Sequence, residues 1–368
     1  MRILQVVNVR WFNATAWYAL GLSRLLADAG HRVLVAVLPG TDTESTARDM
    51  GLDPVALDVN SVNPVRLFAG LIRMIALLRV FQPEVVNCHR GEGFFLWCLL
   101  KPFFDFKLVR TRGDQRPPRG DFLNRWLHGR VADAVVVTNS RMARHFLEEM
   151  RTPEERLWLI RGGVDETRFR FDPKARARVR REFGFTDGEF VVGLLGRFDR
   201  VKGQRQLIEA VAEAYRGRGV GNLRLLLVGF SSATDQSEVE AWIEAQDIGA
   251  ITRITGRRDD VPALLSALDL GVVASLFSET IARAALEIIA ADRPLVSTDV
   301  GVMPDLVSAK ALVPAGDVPA LAEALARAAA DPAFCRELVR EQASVLSQLT
   351  DREFLKRTMG LYESLAQG

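Results

Sequence analysis

The sequence predicts two doubly wound α/β domains in tandem, each a parallel sheet covered by helices. Three observations predict it. A chain of 368 residues suits two domains better than one. Short β-branched runs alternate with amphipathic stretches along its whole length, the pattern of strands joined by crossover helices. The alternation is broken once, by the charged stretch "RFRFDPKARARVRREFG", and then restarts.

In the first series the strands are "RILQVVNV", "RVLVAVL", "VVNC", "KLVRTR" and "AVVVTNS". Helical segments lie between them, among them "WYALGLSRLLADAG", for which Gly30 supplies the terminating glycine. The second series reads "FVVGLLGR", "LRLLLVGF", "ITRITGR", "LGVVAS" and "PLVSTD". The charged stretch is expected to connect the domains, giving boundaries of 1–168 and 169–350. Ligands of such sheets bind beyond the carboxyl ends of the strands, and two such domains in tandem are expected to face a crevice between them.

Composition narrows the function classes. Hydrophobic residues at 48% and charged residues at 26% are ordinary for a soluble globular protein. Three cysteines (Cys88, Cys98, Cys335) and four histidines (His31, His89, His128, His145) form no ligand-spaced cluster. A structural zinc or disulfide framework is therefore not expected, and a reducing cytoplasm is. "MRILQVVNV" enters a strand pattern directly, without a signal-peptide layout. The most apolar run, Phe94 to Leu100, is stopped by Lys101 and Pro102, far short of the ~20 residues of a membrane span. "GFFLWCLLKPFFDF" is either a buried helix, the commoner case, or a segment that dips into a membrane interface.

The net charge of +2 conceals an asymmetry. Residues 1–168 hold 23 Lys/Arg against 18 Asp/Glu, and the remainder 25 against 28. A basic first half, with arginines concentrated between Arg110 and Arg130, suits an anionic partner or membrane surface, or is a set of scattered solvated side chains. Other enzyme classes lack their signatures. The first strand is not followed by a dinucleotide-binding glycine fingerprint, and the chain has neither a P-loop nor a G-x-S-x-G elbow. Nucleic acid is not an expected partner.

The strand ends of the second half carry the chemistry. "GRFDRVKG" places Gly196 and Arg197 at a strand end, with Lys202 and Gly203 following. Glycine lets a ligand approach the backbone, and two cations at this spacing can bracket a diphosphate. The loop "GRRDD" leads into a helix at Val261 and Pro262. "LGVVAS" exits through "LFSE" to a helix expected to start near Thr280 or Ile281. Glu279 then lies in the exit loop and Glu287 about two turns into the helix. An ionised carboxylate accepts two hydrogen bonds from sugar hydroxyls, and backbone N–H groups at Thr280, Ile281 and Ala282 can hold an anion at the helix start.

Together, "GRFDRVKG", "GRRDDVPALLSALDLGVVAS" and "SETIARAALE" resemble the nucleotide-sugar half of GT-B retaining glycosyltransferases of family 4. "LIRGGVDETRF" and "GLSRLLADAGHRV" fit the same family, so the resemblance covers essentially the whole chain. It implies two Rossmann-like domains, with the terminal helix, about 351–368, packed back on the first. It gives the donor diphosphate to Arg197 and Lys202 beside Gly196, the ribose to Glu287, a donor-sugar hydroxyl to Glu279 and the base to the loop around Arg257. The expected reaction moves a sugar from a nucleotide sugar, with retention, to a cell-envelope glycan or glycolipid, working in the cytoplasm or at the inner face of the membrane.

No two aspartates are separated by one residue, so no metal and no other cofactor is expected. The first half departs from the family pattern. Asn13, Ala14 and Thr15 replace a Gly-Gly pair after the first strand, and Gly113 and Asp114 stand where a histidine often contacts the donor sugar. His89 and Asp114 are accordingly candidates beside Glu279 for the catalytic groups. Asn13, Arg112 and Arg116, with Arg110 and Arg119 nearby, are candidates for a phosphorylated acceptor. The departures also keep open a non-catalytic paralogue that binds a nucleotide sugar, or a nucleotide-sugar epimerase.

Overall fold

The computed structural model describes residues 1–368 apart from Val62, Gln115 and Gly368. Contacts divide the chain into two compact units, Met1–Gly163 with Asp351–Gly368, and Val164–Thr350. Each is a doubly wound α/β unit.

The first unit holds β1 (Arg2–Val7), β2 (Arg32–Val37), β3 (Asp53–Ala56), β4 (Val85–Cys88), β5 (Lys107–Arg112), β6 (Ala134–Val137) and β7 (Leu157–Leu159). They form one parallel sheet in the order β3-β2-β1-β4-β5-β6-β7. Successive residues of a strand face opposite sides, and the core divides accordingly. Val7, Val35 and Val37 pack with Ala16, Ala19 and Leu20 of the helix Ala14–Asp28. Leu4, Val6, Val86 and Leu108 pack on the other face with the helices Pro64–Phe81 and Phe94–Leu100. The helix Ala14–Asp28 ends as its glycine suggests, with Gly30 at φ 87° and the His31 N–H donating to Leu26 O.

The helix Asp351–Gln367 belongs to this first unit. Its Tyr362 hydroxyl sits under the sheet centre, accepting from Asn87 Nδ2 at 2.9 Å. Phe354 packs on Tyr18 with ring centroids 4.6 Å apart.

The second unit holds β8 (Phe190–Leu195), β9 (Leu223–Val228), β10 (Thr252–Ile254), β11 (Leu270–Val273), β12 (Leu295–Thr298) and β13 (Leu312–Val313). Their order is β10-β9-β8-β11-β12-β13, again parallel throughout. The order reverses between β8 and β11, so the loops leaving these two strands flank the switch point where such sheets take ligands.

The charged stretch expected to be a connector is instead the opening helix of this unit, Pro173–Phe183. Asp172 caps it, and Arg176 and Arg180 both reach Asp269 just before β11. Arg180 is 1% exposed and also donates to the carbonyls of Ala267, Thr186 and Glu189. Part of what composition presents as a solvated charge run is thus a buried clamp.

Candidate functional site

The loop after β8 runs from Gly196 through a single 3-10 turn, Arg200–Lys202, to Gly203. Asp199 caps this turn through Val201 N–H and also pairs with Arg197 at 2.8 Å. Arg197 is left extended and partly exposed, its Nη1 reaching Ser232 Oγ at 3.4 Å. Gly203 is required twice over. Its φ is 71°, and a Cβ there would stand 1.9 Å from the carbonyl oxygen of Ala274. That contact draws the β8 loop against the exit of β11.

The result is an ion pair between Lys202 Nζ and Glu279 Oε1, with Ser275 Oγ donating to the same oxygen at 2.6 Å. The Glu279 side chain is only 8% exposed, so this pairing offsets the burial of its charge. Its backbone is held as firmly: the Val302 N–H donates to Glu279 O at 2.7 Å, and Gly301, at φ 58°, lies too close to that carbonyl to carry a side chain.

Thr280, Ile281 and Ala282 do not begin the helix as expected. It spans Arg283–Ala290, and Ala282 sits before it in the left-handed region at φ 52°, ψ 48°. The first ladder bond is Leu286 N–H to Ala282 O. The N–H groups directed out of the helix start therefore belong to Arg283, Ala284 and Ala285 rather than to Thr280–Ala282. Glu287 falls just over one turn in, not two. It is buried, and Arg283 Nε meets its Oε1 at 2.6 Å. Burial raises the Glu287 pKa above the usual carboxylate value, against the opposing pull of Arg283. Arg257 lies exposed in the loop after β10, its guanidinium 5.4 Å from the centre of the Phe230 ring.

The first unit treats its candidates differently. Asn13 is a helix cap: its Oδ1 accepts from the Thr15 and Ala16 N–H groups at 3.0 and 3.1 Å. His89 is wholly buried, with Nε2 2.7 Å from Gln5 Oε1 in a network that includes Tyr362, Asn87 and Thr111. Burial and the nearby Arg110 push its pKa down to about 3, so the ring is neutral. As a core residue His89 has no surface from which to touch a ligand, which corrects its place among the expected catalytic groups.

Asp114 is gripped by three arginines, with Arg90 at 2.8 Å, Arg110 at 3.0 Å and Arg112 at 3.1 Å. Burial alone would raise its pKa, but Arg110, Arg112 and Arg90 together hold it below the usual carboxylate range. It is a counter-ion rather than a base poised near neutrality. Around it opens a pocket of about 610 Å³ lined by Arg90, Gly91, Glu92, Arg112, Asp114 and Arg116. Arg112 is nearly buried, donates to Arg116 O at 2.8 Å, and leaves its Nε without a partner among the described residues. Burial and Arg110 push its pKa down to about 9. Among the described residues no group of three or more His, Cys, Asp or Glu is arranged to hold a metal ion.

Comparison with known proteins matches both units. Residues 15–168 fit the model of "Glycosyltransferase Family 4", and residues 189–331 that of "Glycosyl transferases group 1". The chain belongs to the GT-B glycosyltransferases of the family 4 type. This glycosyltransferase is 28% identical to the 2-deoxystreptamine glucosyltransferase of Streptomyces kanamyceticus, over 94% of its own length and 95% of the relative's. It is 33% identical to the D-inositol 3-phosphate glycosyltransferase of Nocardia farcinica, but over 46% of its own length and only 38% of that enzyme's. Among solved structures, Anabaena Alr3699/HepE in complex with UDP superposes with a TM-score of 0.86 at 18% identity, covering 99% of this chain and 100% of that one. A glycosyltransferase from Rickettsia africae gives 0.85 at 16% identity, covering 98% and 97%.

The structure thus brings Lys202 and Glu279 into contact and sets Arg197, the helix start and Glu287 around the same two loops. Three partners went unnoticed in the sequence. Ser275 and Asp199 carry no local signal. Arg283 stands four residues before Glu287, a spacing that pairs side chains on a helix and could have been read.

Proposed function

We propose that the glycosyltransferase moves a hexosyl or related unit from a nucleoside diphosphate sugar held by the second unit, with retention of anomeric configuration. The observation that carries this reading is the cluster at the switch point of the second sheet: Lys202 locked to Glu279, with buried Glu287 on the helix that follows. Arg197 and Lys202 bind the diphosphate, and the N–H groups at the start of Arg283–Ala290 add positive potential. Glu287, ionised, accepts from the ribose hydroxyls; Glu279 orients Lys202 and accepts from a sugar hydroxyl. The base lies along the loop at Arg257.

In the reaction the bond from the anomeric carbon to the diphosphate breaks and its electron pair leaves with the phosphate. The acceptor oxygen bonds to the same carbon on the departing face and gives up its proton to the leaving phosphate. The preorganised cations stabilise the charge that develops. No metal is required in this scheme.

The acceptor we propose is a phosphorylated hydroxyl compound, such as a cell-envelope glycan or glycolipid precursor, reached in the cytoplasm or at the inner face of the membrane. Arg90, Arg112 and Arg116 outnumber Glu92 and Asp114 around their pocket, and such a lining suits a phosphate. This favours an anionic acceptor, as the name of the Nocardia relative implies for that enzyme, over the amine-bearing acceptor named for the Streptomyces one.

Calorimetric titration with UDP, GDP, ADP and CMP, on wild type and on Glu287→Ala, tests the donor site. Preferential binding of one nucleotide, weakened in the variant, is expected. No binding by any of them would overturn the reading. Hydrolysis of the matching nucleotide sugar then separates an active enzyme from a binding paralogue.

A further inference from the structure

A cavity of about 750 Å³ opens at the amino ends of the second sheet, the end opposite the Lys202 and Glu279 loops. Its floor is the start of three neighbouring strands: Phe190 opens β8, Asp269 precedes β11 and Pro294 precedes β12. Two helices wall it, Val318–Ala330 through Ala329 and Pro332–Leu346 through Val339. Floor and walls are largely apolar, and the volume is that of a site for a small organic molecule.

The charge around it is mostly positive. Arg293, Arg336 and Arg340 line the cavity, and among the described residues none of the three forms an ion pair with a carboxylate. Arg336 and Arg340 stand four apart on one helix, the spacing at which like charges face each other and repel. Arg293 is held on the Phe171 ring, 4.2 Å from its centre, and donates to Ala291 O and Leu268 O at 3.2 and 3.3 Å. Its Nη2 has no protein partner among the described residues. The acids nearby offset little of this. Asp269 is saturated, with Arg176 on one oxygen at 2.6 Å and Arg180 and the Val191 N–H on the other. Two arginines share that one carboxylate, so the cluster as a whole is cationic. Asp292 is exposed.

We propose that this cavity binds a small organic anion, an apolar body seated on Phe190, Pro294 and Ala329 with its acidic group met by Arg293, Arg336 and Arg340. An inorganic anion would pair the arginines but leave the apolar floor in water, and a neutral apolar molecule would cover the floor but leave the arginines unpaired. Sugars and nucleotides, polar on most sides, find few partners on such a floor, so the site differs from the donor site in chemistry as well as in place. Strands β8 and β11 run from this cavity to the Lys202 and Glu279 loops. The anion and the nucleotide sugar are therefore held at opposite ends of the same two strands, and both can be bound at once.

The test uses the full chain and anilinonaphthalene sulfonate, a dye that joins an apolar body to one anionic group. Wild type is expected to bind it saturably, and to bind phenylnaphthylamine, the same body without the charge, about tenfold more weakly, the worth of one charge-assisted hydrogen bond. Arg336→Gln with Arg340→Gln should weaken dye binding by a similar factor without lowering the urea midpoint, because the two side chains repel each other in the empty site. Ala329→Trp, which fills the cavity, should abolish that binding, with circular dichroism showing that it remains folded. Cys335 lines the cavity and is half-buried, whereas Cys88 and Cys98 are buried, so its reaction with N-ethylmaleimide reports occupancy. Burial raises its pKa to about 11, so the reaction is slow, and bound dye should slow it further, at least about tenfold. Failure of wild type to bind the dye, equal affinity for the uncharged dye, binding untouched by both variants, or Cys335 labelling at an unchanged rate overturns the proposal. So does displacement of the dye by a nucleoside diphosphate, because the dye would then sit in the donor site.

Discussion

Replacing Gly203 by alanine should both destabilise the second unit and loosen the phosphate site. Two costs add at this position. An L-residue at φ 71° sits in the left-handed region, at about 1–2 kcal/mol, partly offset by about 0.4–1 kcal/mol from the stiffer unfolded chain. The new Cβ would also lie 1.9 Å from Ala274 O and 2.7 Å from its carbonyl carbon, where ~3.3 Å is a close approach. The backbone of one loop must retreat by more than an ångström, and overpacking of this kind costs about 1–3 kcal/mol. The sum is about 2–4 kcal/mol. Gly184 is the matched control: its φ is 74°, but a Cβ there meets nothing within 4 Å, so Gly184→Ala bears the backbone cost alone. Urea denaturation of both variants isolates the contact with Ala274. Because that contact draws the Lys202 loop against the Glu279 loop, titration with the preferred nucleoside diphosphate should show weaker binding for Gly203→Ala and none of that loss for Gly184→Ala. Equal destabilisation of the two variants would refute the reasoning.

Three other outcomes are expected. Lys202→Met should lower affinity for the nucleoside diphosphate by ten- to a hundredfold, about the worth of one charge-assisted hydrogen bond; unchanged affinity in calorimetry would remove the phosphate from Lys202. Asp114→Asn strips the counter-charge from three arginines, one of them fully buried, and should cost about 2–4 kcal/mol in urea denaturation, which a merely catalytic base on an open loop would not. The histidines His89 and His128 are buried and held near a pKa of about 3, below an unfolded value of about 6.5. Between those values the unfolded chain binds protons that the folded chain refuses, so stability falls as pH drops from ~6.5 toward 3, by up to ~1.4 kcal/mol per pH unit for each ring. Denaturation midpoints measured down this range should show the decline, and His128→Gln should flatten it.

The strands that sequence reading placed best were those buried on both faces: "VVNC" and "KLVRTR" coincide with β4 and β5. The strands it missed are short. β3 is "DPVA", with two residues that strands disfavour, β7 has three residues and β13 only two, so all three depend on pairing with a neighbour rather than on local preference. The helix start after Glu279 was misplaced because its turn is made by Ala282 in a conformation normally signalled by glycine or asparagine. Burial was the least legible property. Nothing local distinguishes His89, inside the core, from a histidine on a strand-end loop, or Arg180, clamped to Asp269, from the solvated arginines around it. The pairing of Lys202 with Glu279 spans 77 positions and depends on the contact of Gly203 with Ala274. Residue types could suggest that pair, but only the fold assembles it.

The first unit is discontinuous, closed by a helix that begins at Asp351. A ribosome therefore delivers the whole sheet of that unit, and then all of the second unit, before Tyr362 can reach Asn87 and Gln5. Domains made from the N-terminus onward ordinarily fold as they emerge, but here the nascent first sheet must wait with its buried amide side chains unsealed. The second unit, continuous in sequence, has no such delay. A nonsense mutation near residue 350 would spare every donor-site residue discussed above and yet leave the opposite end of the polypeptide, made first, as the part exposed to chaperones and proteases.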